Sequence, residues 1–193
     1  MKLFIPDEFI LRAENYYELS KDYTYNHGGW EDEYRKKERI IRGKTSEIFI
    51  IEFLKSNGLP IIEDNTSERE NDFFDFKYNG FNYDVKCSLY KICTITKPYE
   101  KKNIDFFIHN IVSADLKLIE IVGVAAKSVI VNSRNFYKYE EKIPGTNITN
   151  KFKEGCYMYI EPFENFLHHF KILNETMPVD YWKRLWVSLK DKT

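Results

Sequence analysis

The chain has 193 residues, 43% of them hydrophobic and 31% charged, which is one domain's worth of sequence with apolar material for a sizeable core. A formal net charge of -1 excludes a polycation that coats nucleic acid by bulk attraction, so such a partner must be met by local clusters of Lys and Arg. No stretch approaches the roughly 20 apolar residues of a membrane span.

Residues 1–7 carry too short an apolar run for a signal peptide. Cys87, Cys93 and Cys156 are odd in number and lack CxxC spacing. Both features point to a cytoplasmic protein with reduced thiols. After Pro6, residues 7–20 have a loosely helical pattern. His27-Gly28-Gly29-Trp30 is a break, and residues 31–42 form a strongly charged helical segment closed by Gly43. A better defined helix is expected next. Thr45 or Ser46 caps it, Ile48-Phe49-Ile50-Ile51 continues it, and Gly58 with Pro60 stops it. It is apolar on most sides and belongs against a sheet, so Glu47 and Glu52 need explaining.

Residues 59–63 form a short strand candidate, and two clear strands follow at 73–78 and 81–88. Further strand segments are expected at 104–112, at 117–131 with a break at Gly123, and at 156–160. Residues 141–153, with Pro144-Gly145, look like a loop. Helical patterns at 162–172 and 179–190 close the chain, the last with an apolar stripe of Trp182, Leu185, Trp186 and Leu189. Helices before and after a run of strands give an α/β layered fold within one domain.

Asn79-Gly80 between aromatic runs is a strong hairpin signal, because a type I′ turn needs positive φ at both central residues. That turn sets Tyr78 against Phe81, Lys77 against Asn82, Phe76 against Tyr83 and Asp75 against Asp84. Side chains alternate, so Phe74, Phe76, Tyr78, Phe81, Tyr83 and Val85 share an apolar face. Asp75, Lys77, Asn82, Asp84, Lys86 and Ser88 share the other. Directly opposed aspartates have Cβ atoms about 4.5–5.5 Å apart and repel. A hard divalent cation such as Mg²⁺, which prefers one or two carboxylates with water and phosphate, relieves that repulsion. Lys86 projects from the same face, two residues beyond Asp84. These are the parts of metal-assisted phosphodiester hydrolysis.

The run from Asp75 to Asp84-Val85-Lys86 resembles the D-x(n)-(D/E)xK signature of the PD-(D/E)xK nuclease superfamily, which includes restriction endonucleases and Holliday-junction resolvases. The segment Arg42-Gly43-Lys44-Thr45-Ser46-Glu47 is similar to the start of that family's first core helix. The resemblance implies a restriction endonuclease-like αβββαβ core over roughly residues 44–130, with extra N- and C-terminal helices. It also implies Mg²⁺, with Mn²⁺ able to substitute, bound by Asp75, Asp84 and the Val85 carbonyl. Lys86 would assist the attacking water, and Glu47 would be an additional or second-metal ligand. DNA is the expected substrate, with RNA as the alternative, and relatives of this kind commonly pair as homodimers. Phe74 stands where the motif's proline would be, and the second acid is Asp.

Several alternatives stand beside this reading. Asp72 competes with Asp75 as the first acid. In the same register it points to the opposite face, and a β-bulge would reverse that preference. Glu47 is favoured over Glu52 by its place near the helix start, although capping is an alternative role. His27, His109, His168 and His169 lack metal-ligand spacing, with His109 on a core-like strand. Arg35, Lys36, Lys37, Arg39, Arg42 and Lys44 form a basic run, read first as a solvated helix face and second as phosphate contacts. Lys97, Lys101 and Lys102 are a second candidate rim. Two rival functions are a non-catalytic nucleic-acid-binding or scaffold protein with the same fold, and an interaction module docking a protein partner.

Overall fold

A computed structural model describes residues 1–22, 32–64, 74–89, 92–143, 149–160 and 163–172. Strand β1 (Lys2–Phe4) precedes helix α1 (Asp7–Ser20), which begins at Pro6 with Asp7 and Glu8 in its first turn, where acidic side chains suit the helix dipole. Helix α2 (Glu33–Ser56) runs for 24 residues without interruption. Gly43, expected to end one helix, lies inside it, and Thr45 and Ser46 are buried helix residues rather than caps. A single helical glycine costs only about 1 kcal/mol, and the burial of Ile40 and Ile41 before it and Ile48 through Leu54 after it outweighs that cost. The cap is Asp32, whose side chain accepts from the Arg35 N–H at 2.8 Å. At the other end Gly58, with φ of 79°, closes the helix as expected.

The next strands are β2 (Ile62–Glu63), β3 (Phe76–Tyr78), β4 (Phe81–Ser88) and β5 (Cys93–Thr96). A 3-10 turn (Lys97–Lys101) leads to β6 (Phe106–Val112), β7 (Leu118–Ala126) and the short helix α3 (Lys127–Ile130). Strands β8 (Phe136–Tyr137) and β9 (Cys156–Tyr159) and helix α4 (Phe166–His169) follow. The expected helix at 162–172 is thus a single turn, and the one at 179–190 lies outside the described residues. Asn79 and Gly80 both have positive φ, 49° and 83°, as a type I′ turn requires.

Among the described residues, six strands form one mixed sheet in the order β1-β7-β6-β4-β3-β2, and three form a second sheet in the order β5-β9-β8. In the large sheet β4 and β6 pair in parallel and the other neighbours are antiparallel. The crossover between the two parallel strands carries β5 and the 3-10 turn, where an αβββαβ core has a helix.

Alternation along the strands sorts the core into two layers. Phe76, Tyr83, Ile108, Ile119, Ile121 and Val124 face the side covered by α1, α2 and α4, in one cluster with Phe9, Phe49, Phe53 and Phe166. Phe107 and Ala125, from the alternate positions, join Cys93, Ile95, Tyr157 and Tyr159 of the small sheet in another cluster. The molecule is therefore α/β, with a mixed sheet packed between helices and a smaller sheet. Strand β7 continues through Gly123, where a break was expected. The register shift between His109 and Asn110 and a φ of 154° at Gly123 absorb an extra residue.

Candidate active site

The hairpin pairs as the turn dictates: Tyr78 with Phe81, Lys77 with Asn82 and Phe76 with Tyr83. Phe76 and Tyr83 stack with ring centroids 4.9 Å apart beneath the helices. The regular ladder stops there, one residue short of Asp75. The Asp75 N–H donates to the Tyr83 carbonyl at 2.9 Å, and its side chain does what a strand partner would otherwise do. Oδ2 of Asp75 accepts the Val85 N–H at 2.5 Å. In an extended strand a residue's N–H and C=O point to the same edge. The Val85 carbonyl is thereby turned toward the edge that Asp75 occupies.

Burial raises the Asp75 pKa well above the ordinary carboxylate value, and the charges of Glu47 and then Asp84 raise it further. Lys86 and the Val85 N–H act the other way without prevailing. Asp75 is thus the meeting point of a helix carboxylate and a strand carboxylate, although its own side chain is partly exposed. Asp72 lies outside the described residues.

Asp84 lies on the β4 face that the small sheet covers, next to Phe107 in the parallel ladder, and is only 4% exposed. The face expected to carry the polar side chains is roofed at this position. Lys86 forms an ion pair with Asp84 Oδ2. The Lys86 ammonium also donates to the Tyr99 hydroxyl at 2.9 Å and sits 4.1 Å from its ring centroid. Burial opposes the Lys86 charge, but Asp84 first, then Tyr99 and Asp75, hold its pKa above the usual lysine value. Across the ladder from Lys86 is His109, fully buried and stacked on Phe163 at 5.4 Å.

Glu47 and Glu52 separate clearly. Glu52 accepts from Arg12 of α1 at 2.9 Å. Glu47 accepts from Lys44 at 2.5 Å, one turn away on α2, and its charge reaches Asp75. Burial works against the Lys44 charge, and Glu47, with a smaller share from Asp75, overcomes it. Lys44 also lies 4.5 Å from the Tyr16 ring. A cleft of about 300 Å³ lined by Arg12, Tyr16, Lys44, Glu47, Ile48 and Glu63 opens beside this pair.

The basic run is only partly a solvated face. Arg35 and Lys37 are exposed, whereas Lys36 is buried and donates to the Lys21 carbonyl at 2.8 Å, and Arg42 buries its Nε. Lys97, Lys101 and Lys102 share the 3-10 turn, and Lys102 lies 4.4 Å from the same Tyr99 ring that Lys86 approaches. Tyr99 is the site residue that the sequence reading missed. It stands 13 positions beyond Lys86 across a crossover, and no periodicity links the two.

Among the described residues, no group of three or more His, Cys, Asp or Glu side chains gathers as a metal site, so Asp75, Asp84 and Glu47 do not form a three-carboxylate cage. Mg²⁺ does not require one, since it keeps several waters and takes one or two carboxylates. The donor chemistry of Asp75, Asp84 and the Val85 carbonyl fits such an ion. The buried Asp84 carboxylate beside the Lys86 cation and the negative charges of Glu47 and Asp84 acting on Asp75 are the observations in favour. No family model, curated protein or solved structure matches the chain.

Proposed function

We propose that the chain is a metal-dependent nuclease of the PD-(D/E)xK type that hydrolyses phosphodiester bonds in DNA, as an endonuclease. The observation that carries this reading is the charge arrangement at one end of the hairpin. Asp75 is fixed by the Val85 amide and loaded by Glu47 and Asp84, with Lys86 beside them. The strand order lends support. An antiparallel run β2-β3-β4 continues into β6 parallel to β4 and then β7 antiparallel, which is compatible with a restriction endonuclease-like core.

In this reading Asp75, Asp84 and the Val85 carbonyl hold Mg²⁺, with Glu47 as a further acidic group. An ion held there would acidify a water and polarise a phosphoryl oxygen. Lys86, kept cationic by Asp84, stabilises the charge that develops on the phosphate. The water oxygen bonds to phosphorus and gives up a proton to solvent, while the bond to the 3′ oxygen breaks and that oxygen takes a proton from solvent. The ends are then a 5′-phosphate and a 3′-hydroxyl. Substrate approaches from the Asp75 side, because Asp84 is roofed.

The burial of Asp84 and its closure by Lys86 favour one rival, a nucleic-acid-binding or scaffold protein that has kept the fold without the reaction. Supercoiled plasmid incubated with Mg²⁺ separates the two. The nuclease reading expects nicking by the wild-type chain that falls about 10³-fold in Asp84→Ala and Lys86→Ala. Nicking that survives both substitutions rejects the site, and binding without nicking supports the rival.

A further inference from the structure

We propose that Tyr99 is the positioning residue for Lys86, and that it aims the lysine's remaining N–H at the reacting phosphate. This inference rests on the nuclease reading of the site and adds a residue to it. An ammonium has three N–H donors on a freely turning tip. In this chain Asp84 takes one direction and the Tyr99 hydroxyl, at 2.9 Å, takes a second. Two fixed partners define the third direction, so the last N–H cannot wander. The ring adds a second restraint, since the Lys86 nitrogen lies 4.1 Å from its centroid. Because the Tyr99 oxygen accepts from Lys86, its own O–H is turned to a different acceptor, and a phosphate oxygen at the site is of the right kind.

Tyr99 can hold a lysine only if it is itself held. Pro98 lies in the first turn of the 3-10 segment and fixes its own φ. The Lys127 ammonium, from the start of α3, donates to the Glu100 carbonyl at 2.8 Å and the Lys102 carbonyl at 2.5 Å. The Lys102 N–H returns to the Tyr99 carbonyl at 3.2 Å. The Glu100 carboxylate takes the hydroxyl of Tyr157 on β9. The turn is therefore tied to α3 and to the small sheet, and its position relative to β4 does not depend on substrate. This is preorganisation of a flexible cation, whose value lies in geometry already set before the reaction.

Two variants separate the contacts. Tyr99→Phe keeps the ring and removes the acceptor, and Tyr99→Leu removes both. In each, ¹⁵N relaxation of the Lys86 ammonium without nucleic acid reports how firmly it is held, and Mg²⁺-dependent plasmid nicking is resolved into kcat and KM. The expected result is a Lys86 ammonium that is ordered in the wild type, looser in Tyr99→Phe and freely rotating in Tyr99→Leu. The expected kcat falls about 10-fold and about 100-fold in the two variants, with KM within about twofold. An ammonium equally ordered in Tyr99→Leu overturns the proposal, and so does a loss of order that leaves kcat unchanged. A wild-type chain that cuts no nucleic acid overturns the nuclease reading instead. The relaxation measurement then still decides whether Tyr99 holds Lys86.

Discussion

Asp75 is a carboxylate whose neighbours raise its affinity for a proton, and pH exposes the consequence. Its pKa stands well above the 3.8 of an unperturbed aspartate, through burial first and then Glu47 and Asp84. Between those two values the folded chain holds a proton that the unfolded chain has lost. Stability therefore falls as pH rises through that window, and the cost is complete above the folded value. Asp75→Asn, which keeps an oxygen to accept the Val85 N–H, is expected to raise the melting temperature of the metal-free protein at pH 8, by about 2–4 °C for each kcal/mol recovered. It should give no gain below about pH 3, where both states are protonated. Scanning calorimetry at the two pH values checks this. The thiols give a second expectation at the same scale. Burial pushes Cys93 and Cys156 up to about 12 and Cys87 up to about 11. All three should resist iodoacetamide at pH 8 in the native state and react on unfolding, as mass spectrometry would show. Asp84 and Lys86 were legible in the sequence because strand alternation alone puts them on one face. The Asp75 carboxylate's bond to the Val85 amide was not, because it forms where the ladder ends, and a register argument assumes that the ladder continues.

The elements divide in the same way between what local chemistry fixes and what packing decides. Asn79-Gly80 determines its turn by backbone sterics alone, and β4 spans Phe81–Ser88 as the aromatic alternation implies. Truncating the buried Phe76, stacked on Tyr83, is expected to cost about 3–5 kcal/mol in urea unfolding. Gly43 was misread as a helix end because a glycine between charged and apolar runs resembles a cap. A helix that is buried on both sides of it simply passes through. A Cβ at Gly43 would meet nothing within 4 Å, so Gly43→Ala should stabilise the protein by about 0.5–1 kcal/mol. Gly123 is the contrary case. Its φ is 154°, and a Cβ there would lie 2.3 Å from the Glu164 carbonyl oxygen, the group that bonds the Val124 N–H and ties the segment before α4 to β7. Gly123→Ala should destabilise by about 2 kcal/mol or more in the same measurement.

At the scale of the whole molecule, the sequence conveyed an α/β architecture and the helix-covered face of the large sheet. Of the small sheet it conveyed only β9, the strand expected at 156–160; β5 and β8 span four and two residues in distant segments and were not conveyed. That sheet matters to the site. It buries Asp84 and supports through Tyr157 and Glu100 the turn that carries Tyr99. The α2 carboxylate Glu47 and the hairpin acids Asp75 and Asp84 converge on one locus from two separate parts of the chain. The proposed function requires this locus to attract a divalent cation. Electron paramagnetic resonance can follow the free-ion signal as Mn²⁺ is added, without nucleic acid, to the wild-type chain and to Asp84→Asn. The wild type should deplete the signal with one-site stoichiometry, and the variant should leave it near the buffer level. Equal depletion by both proteins, or none by either, would contradict the account.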